Sequence, residues 1–249
     1  MNTFEETTLM TTTPLLLHRA DGAVPATAFR RAALGPSDPF AHAREIAWEG
    51  PSAMSTGRAS FIGEIDVADY PHFETLVVVE GELSLAAAHA APLMLGRGEG
   101  AVIARGAAVR IQAISRARFV FCAATAGLAS QPGMKPLRAE ADFKPSNSLP
   151  PEVLLGPVPV CRSDNVFIDE AAQIKAGTWD STPYHRIVRA HRLNEFMYLV
   201  DGGVRFASPD GSVLAVSAGD AVFVPQGVPV GWESSERVAK FYVVQEVKS

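Results

Sequence analysis

The stretch Glu74–Ile111 reads ETLVVVEGELSLAAAHAAPLMLGRGEGAVIARGAAVRI, and Glu195–Trp232 reads EFMYLVDGGVRFASPDGSVLAVSAGDAVFVPQGVPVGW. Laid side by side without a gap, the two are 121 residues apart and identical at eight of 38 positions: Glu74/Glu195, Val79/Val200, Gly81/Gly202, Ala86/Ala207, Leu93/Leu214, Gly98/Gly219, Gly106/Gly227 and Val109/Val230. Half of these identities are glycines or the one acid, a selection chance would not make. Solenoid units repeat at roughly 20–50 residues, so a period this long marks a duplicated domain.

Working outward, the chain of 249 residues has room for two domains, each large enough for its own core. A net charge of −5 with no clustered lysine or arginine gives nucleic acid little to hold. Apolar runs such as Leu76–Val79 and Ala86–Ala88 fall far short of the ~18 residues of a membrane span. Met1 to Met10 carries Glu5 and Glu6 and shows no basic-then-apolar export pattern. The two cysteines, Cys122 and Cys161, form no Cys-x-x-Cys pair and read as reduced, buried thiols of a cytoplasmic protein.

Residues 1–35 read as a partly loose N-terminal extension, whose later part can pair as an edge strand. Phe40–Trp48 suits a short helix or a strand equally. From Ser60 the signals are β: an alternating Ser60–Val67, a buried run Thr75–Val79, then Glu82–Ala86, Ala101–Ala104 and Arg118–Ala123. A first domain over 36–126 is followed by a proline-rich linker over 127–159, broken at Gln131-Pro132-Gly133, Lys144-Pro145 and Leu149-Pro150-Pro151. A second domain over 160–249 replays the pattern, with Phe167–Ala172, Thr178–Asp180, Ile187–His191, Phe196–Val200, Val204–Ala207, Val213–Val216, Ala221–Val224, Val228–Trp232 and Lys240–Gln245 as strands. Ser208-Pro209-Asp210-Gly211 is a tight turn, with proline to set φ and glycine to accept a positive one. Short strands punctuated by Gly and Pro, without a long helix, predict an all-β chain of two tandem barrels.

This arrangement resembles the cupin superfamily in its two-domain, bicupin form, built from jelly-roll (double-stranded β-helix) barrels. The family's first motif is G-x5-H-x-H-x(3,4)-E-x6-G and its second is G-x5-P-x-G-x2-H-x3-N. Glu195 with Gly202, and Glu74 with Gly81, match the E-x6-G part. Gly219, Pro225 and Gly227 match G-x5-P-x-G, and the first copy has Gly98, Ala104 and Gly106. Gly177-Thr178-Trp179-Asp180-Ser181-Thr182-Pro183, Tyr70-Pro71 and Val230-Gly231-Trp232-Glu233 look like a branch that holds ethanolamine-utilisation cupins and (S)-ureidoglycine aminohydrolase-like bicupins.

The resemblance implies a divalent metal held by two His, a Glu and a third His. The second copy has Arg189, His191, Glu195 and Val230 at those four positions, and the first has Ala68, Tyr70, Glu74 and Val109. His72 lies two residues out of register. Guanidinium repels a metal and attracts carboxylates, so no cofactor is assigned. A metal (Mn, Zn, Ni or Fe) would need His191 and Glu195 with help from His185, which period-two alternation puts on the same face as His191, or from Gln245.

Arg189, His191 and Glu195 then read either as an internal ion pair or as the polar groups of a pocket walled by Tyr184 and Trp232. Tyr70 and Glu74 read as a structural hydrogen bond in a closed first barrel, and His18, His42 and His89 as surface residues. Three functions follow. The first is a bicupin binding a small polar or anionic metabolite in its C-terminal barrel. The second is a Mn-type aminohydrolase or related enzyme acting on a small nitrogenous acid, with His191 and Glu195 as ligands and Arg189 on the substrate carboxylate. The third is a non-catalytic scaffold that works as a homodimer, since closing an exposed edge favours pairing.

Overall fold

The computed structural model describes residues 13–50, 53–87, 90–125 and 133–247. The expectations for Met1–Met10, for His89 and for the start of the linker lie outside these residues. Among the described residues the regular structure is β, apart from one 3-10 turn at Pro151–Val153. No helix is long and apolar enough to cross a membrane.

The run Leu76-Val77-Val78 shows why the strands read as continuous apolar segments. Leu76 and Val78 enter the interior of the first barrel, while Val77 points the other way into a core shared with the second half. A strand buried on both faces has no polar side to display. The shared core joins Phe73, Val102, Val120 and Cys122 to Phe167, Phe196, Phe223 and Phe241, with Phe73 and Phe167 rings 4.6 Å apart. Tyr184, Met197, Phe206, Val230 and Trp232 fill the second interior. Both cysteines are free and buried.

The offset of 121 holds in the backbone. Strands Phe73–Glu80 and Asn194–Asp201 correspond end to end, as do Gly100–Ile103 and Ala221–Val224. Gly81 and Gly202 adopt φ of +78° and +72°, and a Cβ there would meet the carbonyl of Arg116 at 2.7 Å or that of Arg237 at 2.1 Å. Only glycine satisfies both the left-handed φ and the close approach. The segment Phe40–Trp48, open in the sequence, is resolved as the strand Arg44–Glu49. The turn at Ser208 forms as expected, with Gly211 at φ +83° donating its N–H to the Ser208 carbonyl at 3.0 Å.

Sheet membership crosses the domain limits read from the sequence. Leu15–His18 pairs with Ala221–Val224, with Leu15 opposite Phe223, and so extends the seven-stranded sheet of the C-terminal half. Met134–Leu137, from the proline-rich segment, pairs with Gly100–Ile103 in the nine-stranded sheet of the N-terminal half, with Lys135 opposite Val102. Val102 and Phe223 are again 121 apart, so the two added strands take the same place in opposite halves. Each half carries the other's leading strand.

Candidate functional site

Two strands set the floor of the second barrel. Along Asn194–Asp201 the side chains alternate, Phe196 and Tyr198 to the shared core and Met197 and Leu199 to the interior, and Glu195 falls on the interior face. Along the neighbouring Val238–Gln245, Phe241 and Val243 face the shared core, leaving Lys240 and Tyr242 inside. Lys240 sits opposite Leu199 in register and reaches along the strand. Its Nζ lies 2.8 Å from Glu195 Oε1 and 3.3 Å from Met197 Sδ. The ammonium also sits over the rings of Trp179 and Trp232, at 4.5 and 4.9 Å from their centroids, where the negative ring faces favour a cation.

His191 precedes the Glu195 strand and is fixed by its backbone, which donates to Val228 O at 2.8 Å and accepts from Gly227 N at 2.8 Å. Its Nε2 is 2.9 Å from Glu195 Oε2 and its Nδ1 is buried without a partner. Burial alone would raise the Glu195 carboxyl, but Lys240 and His191 outweigh it and hold the group well below the ordinary carboxylate range.

A cavity of about 560 Å³ opens above this cluster, within the range of small-molecule sites. Tyr184 and Trp232 stack at 5.3 Å with 6° between their planes and form one wall. Arg186 and Arg189 line it as well. Arg186 is only 9% exposed; its one hydrogen bond goes to the Val230 carbonyl at 3.2 Å, and its Nε is buried without a partner. Burial pulls its pKa below the ordinary arginine value. Among the described residues neither arginine has a carboxylate at ion-pair distance.

These positions correct the sequence reading in three places. The cation paired with Glu195 is Lys240, and of the two readings of Arg189 the Arg189–Glu195 ion pair does not form among the described residues. His185 is exposed, opposite Glu233, and does not line the cavity. Counting by twos failed there because the register shifts between Arg186 and Arg189, an irregularity that changes the parity of the strand. The bulge brings Arg186 and Arg189 to one cavity although they are three apart. Gln245 faces away from the cavity and donates to the Ala172 carbonyl at 3.4 Å. Sequence reasoning missed Lys240 and Arg186; a lone lysine inside the apolar run VAKFYVVQ was the available signal.

The first barrel is closed. Arg44 donates to both oxygens of Glu74 at 2.8 and 3.1 Å and to both of Asp38 at 2.8 Å. Tyr70 donates to Glu74 Oε2 at 2.5 Å, as the sequence suggested. His72, which alternation left undecided, lies inside with Nε2 at 3.0 Å from the same oxygen. Arg44, Tyr70, His72 and Glu74 are all 0% exposed. Of the histidines read as surface residues, His42 is exposed and His18 half-buried.

The donor set does not suit the divalent metal implied by the resemblance. No cluster of three or more His, Cys, Asp or Glu with metal-ligating geometry occurs among the described residues, and an ammonium already occupies the cation position at Glu195. A second positive charge there would be repelled.

Residues 168–242 match the EutQ-like cupin domain. No curated protein matches the chain. Among solved structures, a protein of unknown function of the DUF861 family from Pseudomonas syringae pv. tomato str. DC3000 is 38% identical, with a TM-score of 0.89 over 94% of this chain and 100% of that one. A cupin 2 conserved barrel domain protein from Leptotrichia buccalis shares the fold at 11% identity and a TM-score of 0.55, over 81% of this chain and 87% of that one. Protein Ylba from E. coli, also of DUF861, does so at 10% and 0.53, over 93% and 100%. With all-β sheets around each inward acid, and with this degree of identity along nearly its whole length, the chain belongs to the DUF861 family of the cupin superfamily.

Proposed function

We propose that the protein is a bicupin that binds a small organic anion in its C-terminal barrel without a divalent metal. One observation carries this reading: among the described residues Arg186 and Arg189 line the cavity with no carboxylate partner, while the one carboxylate on the wall, Glu195, is already neutralised by Lys240. A buried guanidinium without a partner is costly, and an arginine fork fits a carboxylate through two parallel hydrogen bonds. A ligand carboxylate supplies the missing partner. Tyr184 and Trp232 would hold its apolar body, and His191, hydrogen-bonded to Glu195, would face its polar substituents.

The aminohydrolase reading depends on a metal at Glu195, the position Lys240 fills, and is the less favoured of the two. Titration calorimetry with a panel of small carboxylates and their neutral amides tests the proposal. Binding of carboxylates, no binding of amides and a loss of at least about tenfold in Arg186→Met is the expected pattern, a tenfold change being 1.4 kcal/mol. Equal binding of acids and amides would sink it. Metal analysis of protein purified without chelator tests the alternative: stoichiometric Mn that disappears in His191→Ala would restore it.

A further inference from the structure

The charge balance of the cavity narrows the ligand further. Lys175 and Arg192 are exposed at the rim, where water screens them and they contribute little. Three cations sit deeper: Lys240, with 6% of its side chain exposed, Arg186 at 9%, and the half-buried Arg189. Glu195 is the single acid facing them. Two positive charges are therefore unmatched in a wall built largely from indole and phenol rings.

The donors are unmatched as well. An ammonium has three N–H donors. Lys240 directs one to Glu195 and one to Met197 Sδ, a weak acceptor. Arg186 uses one of its five donors on Val230 O, and Arg189 makes no hydrogen bond among the described residues. The first barrel shows what a saturated version looks like: there one buried guanidinium meets two carboxylates, Asp38 and Glu74.

We propose that the ligand of the C-terminal cavity is a doubly charged organic anion, a dicarboxylate or a phosphate monoester, which Arg186 and Arg189 hold together with the spare donor of Lys240. This inference rests on the anion-binding reading given above and adds the charge count and the class.

The test is calorimetry at about pH 8, where a phosphate monoester carries two charges, and at fixed low ionic strength, with pairs chosen to differ by one charge: butyrate against succinate, benzoate against phthalate, and dimethyl phosphate against methyl phosphate, with inorganic phosphate as a further arm. The expected result is a preference of at least about tenfold for the dianion in one pair, 1.4 kcal/mol in affinity. That preference falls to within about threefold in Arg189→Gln, less than half that energy. Because Arg189 is half-exposed and has no partner, its loss leaves no group unpaired, and an unchanged melting temperature confirms that the variant is folded. The pair that responds separates the two sources: succinate or phthalate identifies a dicarboxylate, methyl phosphate a phosphate monoester. The monoanion and the dianion of every pair binding equally would overturn the charge count while leaving an anion pocket in place. No binding by any carboxylate or phosphate would overturn both.

Discussion

Glu74 and Glu195 sit 121 residues apart on equivalent strands, and each is neutralised by a cation that comes from a different place. In the first barrel the cation is Arg44, on the strand Arg44–Glu49. Its counterpart follows from the strand pairing. Ile46 opposite Gly57 corresponds to Asn165 opposite Gly177, each just ahead of a register shift, so Ser163 takes the place of Arg44. In the second barrel the cation is Lys240 opposite Leu199, where the first barrel has Phe119 opposite Val78.

The inward acid is kept and the cation has moved. Arg44 lies against the rings of Phe121 and Phe40 at 4.2 and 5.4 Å, and Phe40 packs edge-on to Phe119 at 4.8 Å. The cavity lies beside Ser163 and Lys240, at the positions that Arg44 and Phe119 fill in the first barrel. Interiors are normally packed to crystal density, so the difference separates a barrel built for stability from one with space for a ligand.

The comparison breaks most readily at Arg44. Arg44→Met leaves Asp38 and Glu74 as two sealed, unpaired carboxylates, and a loss of about 3–5 kcal/mol is expected in urea denaturation. A loss below 1 kcal/mol would show that the first barrel does not depend on this cluster.

Acid should act on the same barrel. Burial would raise the Glu74 carboxyl, yet Arg44 and His72 bring it down to about 2 from its ordinary 4.5. A depressed carboxyl stabilises the fold fully above its unfolded value, and that contribution fades as pH falls from about 4.5 toward 2. Thermal melts across this window should decline in the wild type and decline less in Glu74→Gln, where Glu195 still titrates. Parallel curves would remove Glu74 from the account.

Lys240→Met is the matched experiment in the second barrel. Glu195 keeps 13% of its side chain exposed and opens on the cavity, so water can replace part of the lost partner. A smaller loss is expected, about 1–3 kcal/mol. A loss equal to that of Arg44→Met would erase the contrast between sealed and open barrels.

Arg186→Met should move stability least. The residue has no acid partner to strand, and replacing a buried charge by an apolar side chain is often neutral or favourable. A change within about 1 kcal/mol is expected in the melt, together with the loss of anion binding; sites commonly carry strain that stability alone would remove. Strong destabilisation with ligand affinity intact would make Arg186 a structural residue.

The fold was legible because its requirements are local. Gly81 and Gly202 hold a left-handed backbone under a carbonyl, a demand that glycine meets and sequence therefore displays. Glu195 and His191 were legible because they fall on the motif positions of the family resemblance, four residues apart at the entry to the strand Asn194–Asp201. Lys240 and Arg186 were not, for separate reasons. Lys240 belongs to a strand adjacent in the sheet but 45 residues away in the chain. Arg186 depends on an irregularity that changes strand parity, and a count by twos placed His185 inside instead. The closing strands were hidden for the first of these reasons on a larger scale: nothing near Leu15 announces a partner at Phe223.

That last pairing bears on how the protein is made. Leu15 leaves the ribosome 208 residues before Phe223, and until then its half of the ladder has no partner. Closing so long a loop is slow, and an unpaired edge is exposed to wrong partners meanwhile. Met134–Leu137, by contrast, meets Gly100–Ile103 soon after emerging. The N-terminal barrel can thus close during translation, while the barrel with the cavity must wait for the whole chain. Cut between Leu137 and Lys144, the N-terminal fragment keeps all nine strands of its sheet, whereas the C-terminal fragment lacks Leu15–His18 and should complete its sheet only when the two are mixed.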